Sequence, residues 1–339
     1  MEYESFSSVS GVLRGAHYNL KESQEHVYGV SFSPDGKFIG ACLGAGVVRM
    51  LQSDPIDSVQ RHKQRPPFDE VPTTMVKFAP KMQDNNKEYM FATVSSGGAV
   101  FCWLWDGRSM FDCVFRCPEE KNDTQCVDFS FDNKYLATAG SDHIIRVYDI
   151  ANKTMSATLS KGVDDHGHAR SAHVNRIFST RFVSATTMVS AGWENPIQVW
   201  DLRTGRSERQ VLGTQPGCDC LEPLPDGSRF LCSSNRNYDQ LQVFDYVNAR
   251  EIESESKRLC KNIGRRSISS VRYRPETNSL WYVASKPDVI GLMNFSTGEI
   301  VCEIPTPVSV LSLDSNSMHP NKVVAGGFTE SLLVVERTA

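Results

Sequence analysis

The sequence predicts an all-β chain, and three observations predict it. The stretch from His173 to Arg203 alternates apolar and polar residues through the runs 177–182, 187–190 and 197–200, turns at Gly192-Trp193-Glu194-Asn195, and closes on Trp200-Asp201. Side chains that alternate with a period of two mark strands, and the breaks between them mark turns. The same grammar returns along the chain at roughly 40 to 45 residues, the length of a four-stranded blade ending in Trp-Asp. The last repeat has sequence for three strands only, and the N-terminal run 10–15 (SGVLRG) has no partner of its own. That run is expected to complete the last blade and leave no open seam. The expected architecture is a seven-bladed β-propeller of four-stranded antiparallel blades in one domain, 1–339.

The blades follow in order. Blade one, about 24–60, sets Phe32 before the turn Ser33-Pro34-Asp35-Gly36, where proline supplies a fixed φ and glycine the reversal. Blade two, 72–118, closes its first strand at Phe78 and continues through YMFATVSSGGAVFCWLWD. Blade three, 122–160, is anchored on Phe129, and blade four, 173–212, on Phe182. Blade five, 216–254, is less regular: LEPLPDGSRFLCSS leads through a polar loop to LQVFD. Blade six, 266–304, holds 271–273, LWYVAS and VIGLMNF, and blade seven, 306–339, reads VSVLSL, KVVAGG and SLLVVE. Four stretches exceed what a blade turn requires: 53–73, with Arg61-His62-Lys63-Gln64-Arg65 and Pro66-Pro67; 80–88; 160–172; and 249–267, where glutamates precede Lys257, Arg258, Lys261, Arg265 and Arg266. Such loops are where a rigid scaffold usually carries individuality.

Composition narrows the function. A hydrophobic content of 40% and a charged content of 22% describe a globular chain with material for a core. The net charge of -4 argues against duplex DNA or an anionic membrane as a bulk electrostatic partner. No secretory leader and no apolar run of membrane-spanning length are read, so cytoplasm or nucleus is expected. Ten cysteines scattered mostly through apolar runs fit free thiols in a reducing compartment.

Catalytic motifs are missing: the chain has no G-x-S-x-G elbow, P-loop or H-E-x-x-H helix. His166, His168 and His173 with Asp164 and Asp165 form the most ligand-like group, but a polar glycine-containing loop is better explained by solvation. No cofactor and no metal are expected. The basic runs 61–65 and 257–266 lack interleaved aromatics on which bases could stack, so nucleic acid is not the expected partner.

With these residues in place, the chain resembles the WD-repeat β-propellers over nearly its full length. In that family a blade is often fixed by a buried chain of histidine, serine or threonine, aspartate and tryptophan. The resemblance carries this role to His173, Ser190 and Trp200 in blade four, with Glu194 where the aspartate is expected. Blade three keeps Thr138 and Asp142, replaces tryptophan by Tyr148, and sets Glu120 where the histidine should be. The other blades keep the apolar strands and lose most of the polar chain, so a divergent member is expected.

Positions four residues before each blade's anchor should ring one mouth of the central channel, since equivalent positions share a facing. They are Tyr28, Thr74, Gln125, Phe178, Asp219, Ser269 and Ser309. Relatives in the family hold an arginine or modified lysine at such a mouth, and two aromatics with an acid suit a cation. Tyr28, Phe178 and Asp219 are therefore the expected partner-binding residues, with Trp193 and Asn195 in the turn that opens on the same face. Trp200-Asp201-Leu202-Arg203 matches the end of a motif by which some WD-repeat proteins dock onto a cullin-RING ligase adaptor, with Arg203 as the contact. The expected function is a non-catalytic protein-protein interaction scaffold, monomeric within a larger intracellular complex, with a cationic peptide as candidate guest. A ubiquitin-ligase substrate receptor is the alternative.

Overall fold

The computed structural model describes residues 3–8, 12–20, 26–63, 70–83, 88–108, 111–163, 166–193, 196–213 and 215–338. Glu194 and Asn195 lie outside the described residues, as do Asp164, Asp165, Gln64, Arg65, Pro66, Pro67 and the first two positions of the run 10–15.

Seven sheets form the ring, antiparallel except for one added pairing at the outer edge of blade four. Their innermost strands are Val27–Phe32, Thr73–Phe78, Thr124–Phe129, Ile177–Phe182, Leu221–Pro223, Ser267–Arg274 and Val310–Asn316. Each packs against the next around the channel, the last against the first. The seam is closed as the sequence predicts, with a longer strand. Leu13–Asn19 pairs antiparallel with Ser331–Arg337, and Tyr3–Ser7 adds a fifth strand outside it. Joining both ends of the chain in one sheet leaves no unpaired edge where the ring closes.

Apolar strand positions fill the wedges between blades. Phe32, Phe78, Phe129 and Phe182 are all buried, and Trp105, Trp200 and Trp281 are fully enclosed. Each such side chain contributes about 1.5–3 kcal/mol relative to exposure. The first turn of blade one follows from its residues: Gly36 takes φ 72°, Ser33 Oγ donates to Asp35 Oδ1 at 2.8 Å, and the Phe38 N–H returns to Ser33 Oγ at 2.9 Å.

Three of the long stretches are more ordered than connecting loops. The basic run Arg61-His62-Lys63 ends the outer strand Ile56–Lys63 of blade one. In 160–172 the hairpin Lys161–Val163 and Ala169–Ser171 extends blade four to six strands, joining its outer edge in parallel through Gly162 and Ser207. In 249–267 the outer strand of blade five shrinks to Arg250–Glu251, and helix α1, Glu253–Cys260, covers the remaining edge. Ser256 and Cys260 share one helix face at a spacing of four. There Ser256 Oγ accepts from the Val243 N–H at 3.0 Å and Cys260 Sγ from the Leu241 N–H at 3.4 Å. A helix thus supplies acceptors that a fourth strand would otherwise offer.

Candidate functional site

The upper mouth is built by a repeated irregularity. The innermost strands of six blades open on a register shift between Val27 and Gly29, Thr73 and Met75, Thr124 and Cys126, Ile177 and Ser179, Ile268 and Ser270, and Val310 and Ser312. A β-bulge leaves one residue unpaired and re-aims its side chain. The residues so released are Tyr28, Thr74, Gln125, Phe178, Ser269 and Leu311. Tyr28, Thr74, Gln125, Phe178, Asp219 and Leu311 line a cavity of about 170 Å³ at this mouth. Ser269 is not among its lining residues, and neither is Ser309: the inner strand of blade seven runs to Asn316, so its bulge residue is Leu311.

Asp219 does not present a free charge. Its carboxylate accepts from Ser179 Oγ at 2.8 Å, from Arg272 Nη2 at 2.6 Å and from Arg181 Nη2. Burial alone would raise its pKa, but the two guanidiniums override burial and hold the group far below the usual carboxylate range. The charge expected to meet a cation from outside is neutralised from within.

Beneath the mouth lies a charged belt that the sequence reading missed. One residue before each anchor stand Ser31, Lys77, Asp128, Arg181, Glu222, Arg272 and Asp314, so the sign alternates around six of seven blades. Arg272 is 3% exposed and reaches Asp314 through Nε at 3.2 Å and Glu222 through Nη1 at 3.7 Å. The four acceptors of the belt also strap their blades to the next. Asp314 Oδ2 accepts the Phe32 N–H at 2.7 Å, Ser31 Oγ the Phe78 N–H at 3.2 Å, Asp128 Oδ2 the Phe182 N–H at 2.9 Å, and Glu222 Oε1 the Tyr273 N–H at 2.9 Å. Arg181 precedes the blade whose equivalent position is Pro223, which has no N–H to give. The match is confined to this joint, since Lys77 and Arg272 precede Phe129 and Ser315, which keep their N–H groups. The signal was in the sequence, in the alignment that gave the mouth, read three residues further on, except in blade seven, where Ser309 leads to Ser312 and only the register of the bulge at Leu311 leads to Asp314.

Two blade-fixing chains are visible. In blade four the His173 ring lies 2.7 Å from Ser190 Oγ, which accepts from Trp200 Nε1 at 2.8 Å. In blade three the hub is Glu119, not Glu120. Glu119 is 3% exposed and accepts from Tyr148 OH at 2.8 Å, Thr124 Oγ1 at 2.9 Å, Asn122 Nδ2 at 2.6 Å and Thr138 Oγ1, whereas Glu120 is exposed. Asp142 joins through Arg146, which it meets at 2.5 Å and which approaches Glu119 at 3.7 Å.

Outside the mouth, Trp193 is 57% exposed and its ring lies 5.8 Å from that of Phe178. The two border a groove of about 360 Å³ floored by Pro216, Gly217 and Asn235. A Cβ at Gly217 would come within 1.8 Å of Asn235 Nδ2, so any larger residue there would have to displace the Asn235 amide from the groove. Arg203 turns back on its own strand, its guanidinium on Asp201 at 2.7 and 3.1 Å, which holds the Asp201 carboxyl down to about 2. Among the described residues no group of three or more His, Cys, Asp or Glu is placed to hold a metal ion, and no helix is long and apolar enough to cross a membrane.

A family model described as WD domain, G-beta repeat matches residues 17–50 and 111–149, each running from the outer strand of one blade into the first three strands of the next. The chain is a divergent member of the WD-repeat β-propeller family. Among relatives, a ribosome biogenesis protein WDR12 homolog of Culex quinquefasciatus is 20% identical over 269 residues, 70% of this chain and 61% of the relative. One of Drosophila virilis is 24% identical over 149 residues, 42% and 35%. The transcriptional corepressor LEUNIG_HOMOLOG of Arabidopsis thaliana is 22% identical over 219 residues, 61% and 25%. The chain spans less than two thirds of the length of each.

Proposed function

We propose that this WD-repeat chain is a non-catalytic scaffold that binds protein partners through its upper mouth and the adjoining groove, inside a cytoplasmic or nuclear assembly. The observation that carries the reading is the pair Phe178 and Trp193. A bulge turns the first toward the mouth, and the second stands largely in solvent beside it over a groove floored by glycine. A large exposed aromatic at the edge of a preformed groove is the residue type on which interface energy concentrates. The acid at this mouth, Asp219, is held ionised far from the pKa suited to proton transfer near neutral pH, which favours binding over acid-base chemistry. Its two arginines also make the mouth a poor host for a cation, so the favoured guest is an uncharged or aromatic side chain. The relatives named for ribosome biogenesis and for transcriptional corepression suggest multiprotein assemblies as the setting.

Affinity purification from native cells, comparing wild type with Phe178→Ala/Trp193→Ala, tests the proposal. Loss of a defined set of partners with an unchanged melting temperature is the expected result. An unchanged partner set in a normally folded variant would show that this face is not the binding surface.

A further inference from the structure

The groove beside Trp193 and the cavity at the upper mouth form one trough. Phe178 and Gly217 line both, so a chain lying in the groove runs on over Phe178 into the mouth. The chemistry of such a chain follows from what the trough withholds and what it offers. Charge is withheld. Among the described residues none that lines the groove is charged, and the one charged residue lining the mouth, Asp219, is already neutralised by Arg181 and Arg272. A charged side chain would lose hydration here and gain no counter-ion, so the matching occupant is uncharged. Main-chain partners are withheld too. The Trp193 N–H is held by Arg176 O at 2.9 Å, the Asn235 N–H by Gln215 O at 3.0 Å and the Gln215 N–H by Ser234 Oγ at 3.2 Å. Pro216 has no N–H to give. An added strand needs a row of free main-chain groups, and these positions do not supply one.

What the trough offers is ring faces and side-chain amides. The Trp193 and Phe178 rings are tilted by 57° and wall a notch. Asn235 Nδ2 lies over the floor, 1.8 Å from where a Cβ on Gly217 would stand, and Gln215 is exposed beside it. Neither side-chain amide has a hydrogen-bond partner among the described residues. An amide donor needs a carbonyl that is not already bonded. A helix spends its carbonyls on itself, whereas a polyproline II segment has no internal hydrogen bonds and leaves every carbonyl free.

We infer that the trough binds an uncharged, proline-containing segment of a partner protein in the polyproline II conformation. One proline sits between Trp193 and Phe178, and a second, three residues on, sits over the mouth beside Tyr28. With three residues per turn and a rise of about 3.1 Å, positions i and i+3 of such a segment share a face and stand about 9 Å apart. Prolyl rings pack on the aromatic faces, the carbonyls between them accept from Asn235 and Gln215, and a segment already stiff loses little entropy on binding. The inference rests on the reading of this face as the binding surface and adds the chemistry of its guest.

The test uses the full chain, immobilised and probed with a phage-displayed library of random dodecapeptides. Enriched sequences are expected to share Pro-x-x-Pro with no charged residue between the prolines. In a synthetic capped peptide from that set, changing either proline to alanine should weaken binding about tenfold. Phe178→Ala/Trp193→Ala should abolish binding, and Asn235→Ala should weaken it about fivefold, the worth of one hydrogen bond. Phe131→Ala, at an exposed position by the other end of the channel, should leave it unchanged. Melting temperatures should be kept throughout; if the double variant does not fold, Asn235→Ala decides. Enriched peptides without proline that still lose binding in Phe178→Ala/Trp193→Ala overturn the inference and leave the binding face standing. Failure of any peptide to enrich, or undiminished binding of the proline peptides by the folded variants, also overturns it, and the affinity purification then judges the face by itself.

Discussion

Arg272 Nη2 lies 2.6 Å from Asp219 Oδ2, so the acid at the upper mouth is held by a cation rooted in the belt beneath it. The same guanidinium reaches Asp314 and, at longer range, Glu222, which ties blades five, six and seven to one side chain. Buried ion pairs repay their desolvation only when every member is satisfied, and removing one member leaves an uncompensated buried charge.

Asp219→Asn should therefore cost about 3–5 kcal/mol, as Arg181 and Arg272 lose their shared counter-ion. The pH dependence has a definite sign. Burial opposes ionisation of Asp219, but the two arginines prevail and depress its folded pKa. Its contribution is thus present above the ordinary aspartate value of about 3.9 and is lost as pH falls toward the folded value. The stability gap between wild type and Asp219→Asn, measured by denaturant titration, should be constant from pH 7 to 5 and narrow below about 4. A gap that widened with acid would contradict the assigned role.

The two blade-fixing chains predict unequal losses. Ser190→Ala in blade four leaves the Trp200 indole N–H and the His173 ring without their shared hydroxyl, at about 1–3 kcal/mol. Glu119→Ala in blade three strips the acceptor from Tyr148, Thr138, Thr124 and Asn122 together. Its cost should be the larger, beyond about 3 kcal/mol, where broken buried networks fall. Equilibrium unfolding of the two variants gives the order directly. A smaller loss for Glu119→Ala would mean that the four donors find other acceptors.

Much of this was legible because the fold repeats. Strand alternation and the short last blade were enough to place seven blades and the closing strand, since both follow from burial and from the cost of an open edge. The upper mouth was legible through alignment on the anchors, and it slipped in blade seven, where Ser309 was read at the mouth and the bulge releases Leu311 instead, in a strand that continues to Asn316. Glu119 and Glu120 are adjacent acids, and only burial separates them. The partnership of Asp219 with Arg181 and Arg272 joins residues 38 and 53 positions away. No local pattern encodes that meeting, although the alternation of sign at one register hinted at it.

Trp193 and Trp200 stand seven residues apart in blade four at opposite extremes of burial, 57% and 0% exposed. Trp200→Ala removes a fully enclosed indole and its hydrogen bond to Ser190, and should cost about 3–5 kcal/mol. Trp193→Ala should shift stability by no more than about 0.5 kcal/mol, as surface substitutions do. Thermal melts separate the cases. A large loss at Trp193 would mean that its ring is part of the blade core rather than available to a partner.

Helix α1 makes the last prediction, because it substitutes for a strand. Its first turn carries Glu253 and Glu255 and its last turn Lys257 and Arg258, the order that favours the helix dipole. Leu259 and, just beyond, Ile263 are buried in the cluster that holds Val243 and Leu241, which fixes the helix against the edge of blade five. On that face Ser256 Oγ and Cys260 Sγ accept the Val243 and Leu241 N–H groups that a strand would otherwise take. Ser256→Ala should leave the Val243 amide with no acceptor, at about 1 kcal/mol, and speed its hydrogen exchange roughly fivefold. Amides of the innermost strands of the other blades should be unaffected. Ser256→Ala/Cys260→Ala should expose both amides and loosen the helix while the remaining six blades stay intact, since each sheet keeps its own ladder. If the Val243 amide stayed fully protected in the single variant, burial by Leu259 rather than the serine hydroxyl would be what closes this edge.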